Sequence, residues 1–500
     1  MAEKNIIIIG AGIAGLAAGS YGRMNGFRTR ILEHHSKPGG VATAWPNNGF
    51  IIDVGIHYLM GSQPGQACHE IYRELGIFHN RQYPCLDTFV RFTDEISGRS
   101  VSFTQDLDQV ARDLKALAPE DGKLIDGFIA GARAMARADL FKLMEQPLEL
   151  MGMLAPLRQL WGMRRVLRYF GPQFNQPIQD YAQGARSEAL RRCLVNLFLP
   201  EVPVWFVLLI LGLLSKQQLG ILQGGCTDFV DSLAERYQNL GGEVDYNSTV
   251  TEILVTNNRA TGVRLENGSV IQADVVVAAG DGRSTIFNLL GGRYLDQNTR
   301  DRYQHWKSIS PIVTVSFGVN RVFQNEPPLN FHLLREPFQI GGVSITGFPL
   351  RLFNYGASFA PPGKTVVQVL LHTDWDYWRR LVEDRPRYEH EKKLVAAEVL
   401  ARLEPHYPGI TAQVELTDIA TPYTTWRYTL NHEGAFMGWL PTPKAMRAQV
   451  SRTLPGLANF YMAGQWVTPG GGVPPSLYSA RQVIQILCHL DRKKFTATVP

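Results

Sequence analysis

The residues whose types and spacing could do chemistry come first in the chain: Gly10, Gly12 and Gly15, with Glu33 eighteen positions beyond the last of them. A glycine turn of this spacing can bring backbone N–H groups to a pyrophosphate, and a carboxylate at a strand tip can accept hydrogen bonds from both hydroxyls of a ribose. Gly10 permits the tight turn, Gly12 lets the backbone approach the phosphates, and Gly15 lets a helix lie close on a sheet. The same carboxylate repels a 2′-phosphate, which disfavours NADP. Only a strand, a turn, a helix and a second strand in that order can position the set. Ile6 to Ile9 are four β-branched residues that read as a strand buried on both faces. A helix from Ile13 to Asn25 follows, with the N–H groups of Ile13 and Ala14 at its phosphate-facing start, and the strand Thr29 to Leu32 ends at Glu33.

The next segment, Lys37-Pro38-Gly39-Gly40-Val41-Ala42-Thr43, is followed by Phe50-Ile51-Ile52-Asp53-Val54-Gly55-Ile56-His57-Tyr58. Here the sequence resembles the flavoprotein superfamily of phytoene desaturases, carotenoid isomerases, retinol saturases and amine oxidases. The wording Asp-Val-Gly-Ile-His-Tyr is closest to the retinol saturase and carotenoid isomerase branch. The resemblance implies FAD, with Gly39 and Gly40 passing under its pyrophosphate and ribityl chain and Val41 standing where many members carry Arg. It also implies that Val250 meets the adenine through its backbone, and that Gly280 and Asp281 sit near the cofactor.

The chain ends in a second signature. Phe460 to Ala463 read as a strand running into Gly464 and Gln465, and Pro469-Gly470-Gly471-Gly472-Val473-Pro474-Pro475-Ser476 leads into a helix from Leu477 to Leu490. A glycine-rich helix entry at Gly472 and Val473 places N–H groups and a positive dipole end where a flavin gains negative charge on reduction. Most members of the superfamily have Asp after this Gly; Gln465 stands here instead, as in the saturase-like branch.

Five hundred residues fit two interleaved domains. The expectation is an α/β protein with a Rossmann-type FAD-binding domain made of 1–85, 220–290 and 455–491. Interleaved with it is a mixed-sheet plus helical substrate domain made of 86–219 and 291–454. The charge of +5 is modest and gives no reason to expect nucleic acid. The five cysteines are scattered without a CxxC pair, so no zinc or iron–sulfur centre is expected, and they read as reduced thiols. The first strand starts within a few residues of Met1, which points to the cytoplasm. Between Leu157 and Arg192, Arg158, Arg164, Arg165, Arg168, Arg186, Arg191 and Arg192 interleave with Leu160, Trp161, Met163, Val166, Leu167, Tyr169 and Phe170. A basic amphipathic segment of this kind suits either a membrane surface or a solvated helical face.

In the helical layer, helices are expected at Gly65 to Gly76, Leu107 to Leu117 and Lys123 to Met144. The run Val202 to Leu214 is the most apolar in the chain and too short to span a bilayer; it suits a core helix, a tunnel wall or a membrane lip. Gly241 to Tyr246, continued by Thr249 to Ile253, reads as a strand returning to the nucleotide domain, with a hairpin about Asn267-Gly268 and a buried strand from Ala273 to Asp281. Ile312 to Val319, Phe331 to Leu334, Gly342 to Thr346, Val366 to His372 and Gln413 to Thr417 read as a sheet flooring a cavity, with a helix from Tyr388 to Leu403.

No second GxGxxG follows a strand and no catalytic cysteine pair is present, so the flavin exchanges electrons directly with a substrate and with O₂, a quinone or a separate donor. His57, with Tyr58 and Trp426, is the candidate catalytic set; Tyr428 is a further pocket wall, and Asp53 reads as a cap of the turn after it. The leading reading is oxidation, reduction or isomerisation of a carbon–carbon double bond in a long apolar polyene or isoprenoid. A flavin amine oxidase and a flavin-binding, membrane-associated protein without turnover are the alternatives.

Overall fold

The isoleucines that open the chain take the centre of the molecule. The computed structural model describes residues 3–152 and 162–500. In it, Asn5–Ile9 lies in a five-stranded parallel sheet between Arg28–Leu32 on one side and Val275–Ala278 on the other, with Glu243–Asp245 and Phe460–Met462 at the edges. Parallel strands need both faces covered. Ile6 and Ile8 face the helices Ile13–Met24, Gly225–Asn239 and Val473–Leu490, while Ile7 faces a three-stranded antiparallel sheet of Val250–Thr256, Arg259–Leu265 and Val270–Gln272.

Thr249 to Ile253 does not continue the strand at Glu243–Asp245. Asn247 turns the chain at φ 51°, its N–H bonded to the His35 carbonyl, and Ser248 N–H bonds to the Glu33 carbonyl. That turn takes the chain off the parallel edge, and Val250 starts the antiparallel sheet instead.

The second sheet has seven strands in the order Val414–Ala420, Ile312–Val319, Thr365–His372, Val343–Leu352, Leu329–Ile340, Thr88–Asp94 and Arg99–Thr104. It is mixed because Leu329–Ile340 runs parallel to Thr88–Asp94 and the other pairs are antiparallel. The alternation of strand side chains sorts its two faces. Leu334, Phe338 and Phe348 pack under the helix Arg385–Leu403, whereas Leu329, Phe331 and Leu333 face the nucleotide half.

The apolar run is a core helix, Val204–Ser215. It is buried from Val207 to Leu214, with Trp205, Phe206 and Ser215 half-exposed. It packs closely on Gly122–Met135: a Cβ on Gly212 would lie 2.7 Å from the Ala136 nitrogen. The helix expected to reach Met144 stops at Met135 and resumes as a tight turn at Leu140–Met144. Asp139 breaks it, accepting hydrogen bonds from Phe141 N–H at 3.1 Å and from Ala67 N–H at 2.7 Å, a side-chain alternative to helix pairing. In the basic segment, Arg158, Leu160 and Trp161 lie outside the described residues. Arg164, Arg165 and Arg168 are exposed. Among the described residues no helix is long and apolar enough to cross a membrane.

Candidate active site

The nucleotide end of the site is built from backbone. Helix Ile13–Met24 starts at Gly12, so the N–H groups of Ile13, Ala14 and Gly15 belong to the first turn, which has no intrahelical acceptors to offer them. Gly10 makes the turn at φ 99°, and a Cβ on Gly15 would stand 1.9 Å from the Gly10 carbonyl oxygen. Gly12 is different, because a Cβ there meets nothing within 4 Å; the same holds at Gly280 and Gly472. Gly40, at φ 61°, faces Gly12, and Gly39 bridges to it. Val41 is half-buried just beyond this glycine pair.

Glu33 is 6% exposed and accepts from Ala11 N–H at 2.6 Å and His35 N–H at 2.7 Å. Burial raises its carboxyl above the usual range, and these bonds pull it back. Asp281 is buried, accepts from Ser284 N–H at 2.6 Å with one oxygen, and its other oxygen has no partner among the described residues. Open space walled by glycine backbone, an acid at one end and an unmatched buried carboxylate oxygen fit a dinucleotide. Gly464 and half-buried Gln465 follow the strand Phe460–Met462, and Gly464 lies over Ala14, whose Cβ is 3.4 Å from a built Gly464 Cβ. Helix Val473–Leu490 begins at Gly472, but Pro474 and Pro475 carry no N–H and Ser476 N–H bonds to the Gly472 carbonyl. Val473 is thus the donor left at this helix entry, together with the dipole.

The other end is made of side chains brought from far apart. His57, Tyr58, Met60, Leu329, Phe331 and Tyr355 are half-buried, the last five packed against the main core, and they are the candidate lining of a substrate cavity. Tyr58 meets Phe89 edge-on at 5.4 Å. Beneath them lies a buried polar cluster that no local sequence pattern marks. Arg351, 4% exposed, donates to Gln368 Oε1 at 3.0 Å and packs over Phe353 at 4.6 Å. Gln368 donates onward to the Asp53 carbonyl at 3.0 Å and Ser316 Oγ at 3.1 Å.

Asp53 does not cap its own turn. Its carboxylate accepts from Cys226 N–H at 2.6 Å, capping the helix Gly225–Asn239 across a gap of 173 positions. A carboxylate there gains from the helix dipole. Burial raises the Asp53 carboxyl, opposed by Arg351. Burial, and then Arg351, holds His57 well below its ordinary value, so the imidazole facing the cavity is neutral. Burial pushes the Tyr58 phenol up, which keeps it protonated.

Trp426 is not brought to this cluster. It is 37% exposed on the helix Pro422–Thr429, against Tyr423 at 5.3 Å and Trp375 at 6.3 Å. That helix touches His34 beside the acid, at the nucleoside end, and Tyr428 is exposed with it. Among the described residues no three His, Cys, Asp or Glu side chains form a group that could hold a metal ion.

A model of the family described as flavin containing amine oxidoreductase matches residues 13–485. The chain belongs to that family. Its cofactor is a flavin, and the dinucleotide turn makes that flavin FAD. The chain is similar to the lycopene-forming phytoene desaturase of Pseudescherichia vulneris, 25% identical over 517 residues that cover 97% of this chain and 99% of that protein. It is 24% identical to the chloroplastic prolycopene isomerase of Daucus carota over 489 residues, 94% of this chain and 78% of that one. The fold is shared with the crystal structure of cyclohexylamine oxidase from Brevibacterium oxydans, at a TM-score of 0.58 and 15% identity over 98% of this chain and 100% of that one.

Proposed function

We propose that this flavoprotein acts on a carbon–carbon double bond of a long apolar polyene or isoprenoid, of carotenoid or retinoid type, by desaturation, saturation or cis–trans isomerisation. The observation that carries the reading is similarity along nearly the whole chain to both a carotenoid desaturase and a carotenoid isomerase. The space lined by Tyr58, Met60, Leu329, Phe331 and Tyr355 supports it, being apolar apart from phenols and one neutral imidazole.

In this reading FAD supplies hydride acceptance or donation when bound. Gly12, Ile13, Ala14 and Gly15, with Gly39, Gly40 and Val41, hold its pyrophosphate, Glu33 its ribose, and Val250 its adenine. Gly280, Asp281, Gly464, Gln465, Gly472 and Val473 hold the remainder. The chain's own work is to exclude water with aromatic and aliphatic walls, to orient an extended chain between two sheets, and to keep His57 neutral. A neutral imidazole can take or give one proton at the cavity edge without adding charge to an apolar site. The discontinuous nucleotide unit, 1–85, 220–290 and 455–491, would then clamp the cavity against the unit formed by 86–219 and 291–454. A quinone, O₂ or a separate reductant closes the electron balance.

The layer outside helix Val204–Ser215 is the face proposed to meet a membrane. It carries Leu148 at 52% and Leu167 at 40% exposure, half-exposed Phe170, Trp205 and Phe206, and the exposed Arg165 and Arg168. A greasy substrate would enter from there.

The test is anaerobic reduction of the purified flavin, then mixing of oxidised and reduced protein with polyenes and with amines. Polyene turnover in either redox state, with amines leaving the oxidised flavin unbleached, is the expected result. Amine bleaching without any polyene reaction overturns it in favour of an amine oxidase, and no reaction at all favours a protein without turnover.

A further inference from the structure

Residues 427–433 cross the carboxyl edge of the parallel sheet, and polyene chemistry gives them no task. Sheet order places Asn5–Ile9 between Arg28–Leu32 and Val275–Ala278, and this segment touches residues just beyond the carboxyl ends of both outer strands. At one side His34, next to Glu33, bonds through Nε2 to the Arg427 carbonyl at 3.1 Å and through Nδ1 to Thr249 Oγ1 at 2.9 Å. His35 meets the Tyr428 ring edge-on at 4.8 Å. At the other side Ser284 Oγ donates to the Leu430 carbonyl at 3.3 Å. A segment pinned at both ends of this span bridges the two strand ends that flank the Gly10 to Gly15 turn.

Its backbone is also strained. Leu430 and Glu433 stand at φ 56° and 54°, in the left-handed region that side chains other than Gly, Asn and Asp rarely adopt. Strain of this sort persists where surrounding contacts over-determine it, and it clusters at ligand clamps. Tyr428 is 44% exposed, so core burial does not account for where it is held.

We propose that residues 427–433 are a strap that closes over the adenosine half of FAD and retains it, swinging about Leu430 when the cofactor enters or leaves. The proposal rests on the assignment of FAD to this groove. His34 and Tyr428 are its positioning residues: one latches the strap to the strand end that carries the ribose acid, the other rests an aromatic ring beside His35. Because the strand Val414–Ala420 runs into the helix that bears the strap, the large sheet takes part in holding the nucleotide.

The experiment is release of FAD from the diluted holoenzyme, followed by the rise in flavin fluorescence. H34A and Y428A are expected to release FAD about tenfold faster than the wild type, the loss of one hydrogen bond or one ring contact. H34Q, whose amide N–H can still reach the Arg427 carbonyl, is expected to stay near the wild-type rate. Y428A, at an exposed position, keeps the test open if H34A fails to fold, and circular-dichroism melts identify that case. Equal release rates from wild type, H34A and Y428A overturn the strap. Wild-type protein that binds no FAD overturns the cofactor assignment beneath it, a separate and distinguishable result.

Discussion

The two ends of the groove are made in opposite ways. At the nucleotide end the groups assigned to the ligand are backbone N–H groups, and side chains are missing from the space beside them at Gly12, Gly280 and Gly472. Most of that end lies within the first forty residues of the chain. At the cavity end the working groups are side chains, and Asp53, His57, Cys226, Arg351 and Gln368 come together only through tertiary folding. Each backbone piece is contiguous, because a turn and a helix start are local objects, even though the fold brings several such pieces together. A side-chain device needs no contiguity, since each strand of a sheet can contribute one residue to one face.

Two neighbouring glycines separate these ideas most sharply. Gly15 is needed by the fold: a Cβ there would sit 1.9 Å from the Gly10 carbonyl oxygen. Gly15→Ala should therefore cost about 3 kcal/mol or more, the upper range for overpacking, and appear as a lost or much earlier thermal melt. Gly12 is assigned to the ligand in the proposed reading, and a Cβ there would enter open space. Gly12→Val should leave the melt of the FAD-free protein unchanged and weaken FAD binding by about a hundredfold or more, near 2.7 kcal/mol. FAD binding at wild-type strength by Gly12→Val would show that the pyrophosphate lies elsewhere.

The same contrast decides which features are legible in the amino-acid sequence. Ile6 to Ile9, the glycine turn, Glu33 and the strand at Val275–Ala278 carry strong local patterns, and each falls where those patterns put it. In the large sheet Ile312–Val319 and Thr365–His372 are legible too, as is the helix Arg385–Leu403, through alternation and apolar spacing. The break at Asp139 and the turn at Asn247 are not, because each depends on a partner far away: Ala67 N–H for the first, the His35 carbonyl for the second. Arg351 gives no signal, as one arginine in a strand looks like any solvent-facing residue until the strand is placed. Trp426 and Tyr428 stand out as aromatics, but aromatic density does not say whether a segment lines a cavity or lies across a groove.

Arg351 tests the cavity end. Arg351→Met removes the donor to Gln368 Oε1 and the cation that opposes the burial of Asp53. A hydrogen bond from a charged group is worth about 1.5–3 kcal/mol, so chemical denaturation should show a loss of about 2–3 kcal/mol. The His57 imidazole should also move up, since the repulsion from Arg351 adds to burial in holding it down, while burial keeps it below its ordinary value. An NMR titration of His57 that is identical in wild type and variant would dissolve the link between the two residues.

On the far face of the same sheet is a second assembled cluster that contributes to stability rather than to the cavity. His332 is buried with neither ring nitrogen bonded among the described residues; it stacks 4.0 Å from His406, whose Nε2 lies 2.9 Å from Glu95 Oε1, and Glu95 also accepts from Arg335 N–H at 2.9 Å. Burial, and then repulsion from His406, lowers the His332 imidazole to about 3, against 6.5 when free. The unfolded chain thus takes up a proton below pH 6.5 that the folded chain refuses. Well above that pH unfolding takes up no proton at His332; as pH falls, stability is lost at up to about 1.4 kcal/mol per unit until pH nears the folded value. His332→Phe removes the titrating group and keeps a ring against Phe348 and Tyr407, which already flank it. Between about pH 6.5 and 5.0 the wild type should therefore lose about 1.6 kcal/mol more than the variant in urea denaturation. Parallel acid limbs for the two proteins would mean that His332 gains a proton without cost, and that the stacked pair opens to water well before the sheet does.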